Sequence, residues 1–155
     1  MRRDYFTLEA RNLEWVDEDR PECPTVHIDF RGPETDLREG FMRNDGTVLS
    51  AEETDVSFRL QGDPDDEDTT GVVAVTNRIT GDFIFEINAS AVDVFRFIDA
   101  ARRFADETEA DSSYRVELYL DGEEFVTYEK DTFLVYTSDG ALMRSRSLIP
   151  GGVEL

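Results

Sequence analysis

The chain has 155 residues, of which 39% are hydrophobic, and this length and composition fit one globular domain better than a disordered chain. Its 36 acidic and 16 basic residues give a formal net charge of −20 at pH 7. That balance argues against a nucleic-acid partner, because binding to nucleic acid depends on a basic surface. No stretch approaches the roughly 18 apolar residues of a membrane helix, so we also expect no membrane partner.

The basic residues are unusual in kind, since fifteen are arginines and the only lysine is Lys130. Lysine lays a long apolar stem on the surface, and replacing it reduces the exposed apolar area. A charge of −20 repels itself, and at about 1 M salt the Debye length of about 3 Å screens that repulsion. The composition therefore predicts a soluble cytoplasmic domain adapted to concentrated salt. An unusually acidic protein of an ordinary cell is the alternative.

Alternating apolar and polar residues predict short strands in the first half of the chain. A strand from Tyr5 to Trp15 is interrupted near Arg11, and a second covers Thr25 to Phe30. The second strand has Val26, Ile28 and Phe30 directed inward, so we expect His27 to be exposed. Residues 34–43 fit neither period and are open as strand or loop, and another alternating strand surrounds Phe58.

A helix and several hairpins are predicted in the second half. Residues 72–76 and 82–87 form a hairpin, and Ser90 is an N-cap for a helix with one apolar face. Two Asp-Gly turns then separate strands at 114–120, 124–128, 132–137 and 141–148. The apolar stretches at 72–75 and 133–136 are expected to be central strands. The fold class is therefore α+β: a mostly antiparallel sheet of about seven to nine short strands with one amphipathic helix packed on it, in a single domain over 1–155.

Motifs for the common chemistries are missing from this sequence. Cys23 is the only cysteine, so an internal disulfide is impossible, and any nucleophilic triad must use His27, the only histidine. The acidic run 63–68 fails the EF-hand pattern, because Asp68 and Ala74 stand where that loop needs Gly and Glu. Phosphate-binding glycine loops are also missing. We therefore assign no catalytic residue, no metal ligand and no cofactor.

Two features are candidate binding sites. The turn 77–82 combines an amide, a guanidinium and a carboxylate in Asn77, Arg78 and Asp82. A well-capped structural turn is the alternative. Arg144 and Arg146 fall on one face of a predicted strand, where two guanidinium groups could bind a carboxylate or phosphate. Pairing of these arginines with neighbouring acidic residues is the alternative.

Two functions from different classes follow from these observations. The first is a non-catalytic interaction or ligand-binding domain with an unknown protein or small-molecule partner. The second is a small hydrolase or transferase that uses carboxylate and arginine residues, for which the turn 77–82 and the two C-terminal arginines are the best candidates.

Several stretches resemble a family of small haloarchaeal proteins known only as a domain of unknown function. The similar stretches are Arg3–Leu8, Ala51–Val56, Val75–Phe83, Thr132–Tyr136 and Ser147–Pro150. The resemblance covers most of the chain. It implies a high-salt archaeal cytoplasm, in agreement with the charge, and it implies no particular activity.

Overall fold

A computed structural model describes residues 6–13, 22–43, 45–108 and 112–149, which form eight strands in two sheets and two α-helices. The predicted α+β class is confirmed. The strands are β1 (Phe6–Arg11), β2 (Thr25–Phe30), β3 (Thr54–Leu60), β4 (Thr70–Asn77), β5 (Phe83–Ser90), β6 (Tyr114–Leu120), β7 (Glu123–Lys130) and β8 (Leu134–Tyr136). The helices are α1 (Glu34–Gly40) and α2 (Ala91–Glu107).

The strands divide into two sheets of four. Sheet 1 has the order β1-β2-β6-β7, and sheet 2 has the order β5-β4-β3-β8. Each sheet contains one parallel pair, β2 with β6 and β3 with β8, and the remaining neighbours are antiparallel. β4 is central, as the sequence predicts. β8 lies at the end of its sheet, contrary to the expectation for 133–136, and isolated bridges join Phe133 to Leu148 and Tyr136 to Leu142.

Aromatic side chains pack between the two sheets. Phe6 of sheet 1 stacks on Phe85 of sheet 2, with ring centroids 4.8 Å apart. α2 contacts both sheets, since Phe97 packs edge-on against Tyr114 at 5.5 Å and Phe95 against Phe58 at 6.4 Å. The apolar helix face predicted from the sequence is therefore buried, but it packs against two sheets rather than one.

The first ambiguous region of the sequence contains a helix. Residues 34–43 were open as strand or loop, whereas Glu34–Gly40 form α1, which buries one residue, Leu37. Two acidic residues occupy its first turn, where they favour the positive end of the helix dipole. Two turns are too few for a helical period to stand out in the sequence.

The interruption predicted near Arg11 is present. β1 ends at Arg11, and Asn12 adopts a left-handed backbone conformation with φ of 64°. The Asn12 side chain donates a 3.0 Å hydrogen bond to the carbonyl oxygen of Cys23, which fixes the exit of β1 beside the start of β2. Trp15, the end of the predicted first strand, lies outside the described residues.

Candidate functional site

A cleft of about 410 Å³ opens between β1 and β5, which are the end strands of the two sheets, and continues under the first turns of α2. We call it the edge cleft. Its interior is lined by apolar side chains that alternate inward along strands of both sheets: Val26, Ile28, Val56, Val73, Val75 and Val116. These branched side chains favour strands, and their inward phase leaves an apolar space where the two end strands separate.

Polar groups occur at the rim of the edge cleft. Thr7 of β1, Asn88 and Ser90 of β5, and Asp93 in the first turn of α2 are among its lining residues. Asp93 is the one charged residue among the described residues that line the cleft. An apolar interior with a few polar groups at its rim, in the size range of roughly 300–1,000 Å³, is the usual form of a small-molecule site.

The predicted turn 77–82 is present and is held together by its own side chains. Asn77 is buried, and its Oδ1 accepts hydrogen bonds from the backbone N–H of Ile79 at 2.9 Å and of Thr80 at 3.3 Å. The backbone N–H of Asn77 donates to the carbonyl oxygen of Asp82 at 2.9 Å. Gly81 supplies the left-handed residue with φ of 80°. The amide of Asn77 therefore caps the turn, which favours the structural alternative for this residue.

Arg78 is paired across the neighbouring strand. Its Nε and Nη2 both donate to Oδ1 of Asp55, at 3.0 and 2.5 Å, and this pairing raises the pKa of the Arg78 guanidinium. Arg78 also lines an open groove of about 1,000 Å³, which we call the hairpin groove, together with Lys130 and Tyr136. Asp82 is exposed and is not among the described lining residues of this groove.

The arrangement predicted for Arg144 and Arg146 is wrong, because residues 144–146 form a 3₁₀ helix and not part of a strand. The backbone N–H of Arg146 donates to the carbonyl oxygen of Met143 at 3.2 Å, a bond within the turn rather than across a sheet. The Arg146 guanidinium lies 4.6 Å from the centre of the Phe95 ring. It lines a separate groove, with Arg96 and Arg103 of α2, that shares no described lining residue with the hairpin groove.

His27 is buried, at 7% exposure, so the expectation of an exposed strand histidine is wrong. The ring of Tyr119 covers it, with centroids 4.6 Å apart, and Nε2 lies 3.2 Å from Oδ2 of Asp29 on the same face of β2. This contact follows from the strand phase, because alternate residues of a strand share a face. The Nδ1 atom of His27 has no hydrogen-bond partner within the described part of the chain. No group of three metal-ligating side chains occurs there either.

Lys130 is a buried residue that sequence reasoning did not select. Its Nζ donates to the carbonyl oxygens of Ala51 and Thr54, at 2.6 Å each, and burial lowers the pKa of the amine. The sequence signal that could have identified it is that Lys130 is the only lysine beside fifteen arginines. The ammonium group has three donors, and these contacts use two of them to hold the side chain in place.

The comparisons with known proteins identify a family but no activity. The model of the Family of unknown function (DUF5793) matches residues 1–155, and the chain belongs to that family. Searches of curated proteins and of solved structures found no match. Across the described residues, neither helix has the length and apolar character needed to cross a membrane.

Proposed function

We propose that this member of the family is a non-catalytic ligand-binding domain, and that an apolar small molecule binds in the edge cleft. The observation that carries the proposal is the apolar space of about 410 Å³ between the two sheets. Its volume lies within the range of roughly 300–1,000 Å³ that small-molecule sites occupy. We also propose that residues 1–155 form one domain.

The apolar lining of this space supports an apolar ligand. The cleft opens at its rim and admits water, but water beside valine side chains finds few hydrogen-bond partners. An apolar molecule can replace this water and bury its own surface.

The enzyme alternative, a hydrolase or transferase that uses carboxylates and arginines, gains less support. Arg78 is paired with Asp55, and Arg146 stacks on Phe95 beside a different groove. Burial raises the pKa of the Cys23 thiol, which lowers the thiolate fraction of that nucleophile. Two of the candidate groups, Arg78 and Arg146, are thus engaged in contacts within the fold, and we favour binding over catalysis.

We further propose that the domain works in a cytoplasm rich in salt. The net charge of −20 supports this setting, because molar salt screens the repulsion that such a charge creates. In the acidic loop 63–68, Oδ1 of Asp63 accepts the N–H of Asp65 and Oδ1 of Asp66 accepts the N–H of Asp68, both at 2.9 Å. These carboxylates are therefore used in the turns of the loop itself. The excess of acidic over basic residues supports the absence of a nucleic-acid partner.

The proposal is tested with Nile red, an uncharged dye whose fluorescence rises in apolar surroundings, titrated against the protein in concentrated salt. We expect saturable binding to the unchanged protein. Ala89→Phe and Ala10→Phe place a ring in the cleft from β5 and from β1, and both should abolish that binding. Ala141→Phe is the matched control, since Ala141 is exposed and lies outside the described lining residues.

Circular dichroism of each variant separates loss of the site from loss of the fold. The proposal fails if the unchanged protein shows no saturable binding. It also fails if both cleft variants, when folded, bind the dye as well as the control does.

A further inference from the structure

The residues at the rim of the edge cleft indicate which polar group the ligand presents there. We infer that the ligand ends in a hydrogen-bond donor, either a hydroxyl or an ammonium group, and that the site discriminates against a carboxylate. This inference rests on the proposed function. It names the class of ligand: an apolar molecule whose tail lies among the valines and whose donor group meets the rim.

Asp93 is the group that decides the polarity of the rim. It is exposed, it lies in the first turn of α2, and it is the one charged lining residue that the described ranges provide. A helix N-terminus carries about +0.5 of an elementary charge, which on its own would attract an anion. The full negative charge of Asp93 outweighs that half charge, and the Ala91 N–H of the same helix end is already bonded to the carbonyl oxygen of Thr69 at 2.9 Å. The rim is therefore net negative.

The neutral rim leaves the choice to Asp93. The Ser90 hydroxyl can accept a hydrogen bond from a donor or donate one to an acceptor, so it does not discriminate between ligands. A hydroxyl or ammonium group at the rim can donate to the Asp93 carboxylate. A carboxylate would place two acceptor oxygens beside Asp93 and obtain no cationic partner from the described lining residues.

Salt decides which electrostatic effect acts at this site. At about 1 M salt the Debye length is about 3 Å, so the field of the whole chain with its charge of −20 is screened away. A contact between Asp93 and a group at the rim acts within that distance and survives. Selectivity against a carboxylate should therefore persist in concentrated salt and should depend on this one residue.

The experiment is displacement of bound Nile red by three molecules with the same tail, decanol, decylamine and decanoate, in concentrated salt at about pH 8, where the amine and the carboxylate are both charged. We expect decanol and decylamine to displace the dye at concentrations at least about tenfold lower than decanoate. If only decylamine displaces the dye, the ligand carries an ammonium group. If decanol displaces it as well, a hydroxyl group is sufficient for binding.

Asp93→Asn removes the charge with almost no change in shape and should bring decanoate close to the other two. Asp106→Asn removes the same charge from the exposed far end of α2 and should leave the order unchanged. The inference is overturned if decanoate displaces the dye as well as the donors do, if none of the three displaces it, or if the two variants behave alike. In each of these cases Nile red still binds and the proposed function stands, whereas failure of Nile red to bind defeats the proposed function itself.

Discussion

The Nζ of Lys130 donates a 2.6 Å hydrogen bond to the carbonyl oxygen of Thr54, so the last residue of β7 is tied to the first residue of β3. These strands belong to different sheets. A second 2.6 Å bond from the same nitrogen reaches the carbonyl oxygen of Ala51, in the 3₁₀ helix Ala51–Glu53. The only lysine of the chain thus joins sheet 1 to the segment that leads into sheet 2.

Lys130→Met should destabilise the fold. The change keeps the apolar stem but removes the amine, and both carbonyl oxygens lose their donor while the residue stays buried at 7% exposure. The free energy of unfolding should fall by about 1–3 kcal/mol, measured by urea denaturation in concentrated salt. Arg31→Met, which removes a cation from an exposed loop, is the control and should change stability little. Equal effects of the two changes would contradict a structural role for Lys130.

Tyr128 should make the fold sensitive to alkali. Its hydroxyl donates a 2.7 Å hydrogen bond to the carbonyl oxygen of Leu49, and burial raises its pKa and that of Tyr114 above the ordinary value near 10. The unfolded chain therefore loses these protons at lower pH than the folded chain. The stabilisation is complete below about pH 10 and declines as the pH rises above it.

Tyr128→Phe should make this alkaline decline less steep, because one of the two groups no longer titrates. Tyr136→Phe is the matched control, since Tyr136 is only partly buried. Free energies of unfolding from urea denaturation at pH values on both sides of about 10 provide the measurement. A decline in Tyr128→Phe as steep as in the unchanged protein would rule out this contribution.

Glu53 should make the fold sensitive to acid. A hydrogen bond from the Arg43 side chain, followed by one from the Ser50 backbone N–H at 2.9 Å, lowers the pKa of Glu53 to about 2. An unfolded glutamate titrates near 4.3, so the unfolded chain binds this proton first as the pH falls. The stabilisation is present above about pH 4.3 and is lost as the pH falls towards 2.

Glu53→Gln should remove that part of the acid dependence, and Glu52→Gln should retain it, because Glu52 is the exposed neighbour on the same 3₁₀ helix. Circular dichroism followed during acid titration of the two variants compares them directly. If the two variants unfold at the same pH as each other, the acid dependence originates elsewhere.

Low salt should destabilise the whole domain. A charge of −20 is screened at molar salt and repels itself in dilute buffer. We expect far-ultraviolet circular dichroism to show loss of folded signal after dialysis from concentrated salt into dilute buffer, with recovery when salt is restored. A cooperative thermal transition at the same temperature in both buffers would show that the surface needs no salt.

Local signals in the sequence predicted the local parts of the fold. α2 begins directly after Ser90, as the sequence indicates, although the Ser90 side chain makes no capping hydrogen bond. The Asp121-Gly122 turn joins β6 to β7 with φ of 48° and 87° at its two residues, the left-handed values that a tight hairpin turn needs. These features depend on neighbouring residues, which is why one sequence is enough to predict them.

Pairing between distant segments was not predictable in this way. The parallel pairs β2–β6 and β3–β8 join distant parts of the chain, and a strand has the same period of two in parallel and antiparallel sheets. The edge cleft depends on that pairing, because it exists where the end strands of two sheets separate. Its interior is lined by aliphatic and aromatic residues of the kinds found in any core, so residue type alone gave no signal. The burial of His27 has the same origin, since Tyr119 comes from the paired strand β6.

The parallel pairing of β2 with β6 also sets the order in which the strands can pair while the chain is synthesised. β3, β4 and β5 follow one another as an antiparallel meander, so they can assemble as soon as they leave the ribosome. β2 meets β6 only after residues 114–120 have been synthesised, and until then its edge is open to other nascent chains. A chain truncated after α2 should therefore aggregate or require a chaperone, although it contains three complete strands of sheet 2.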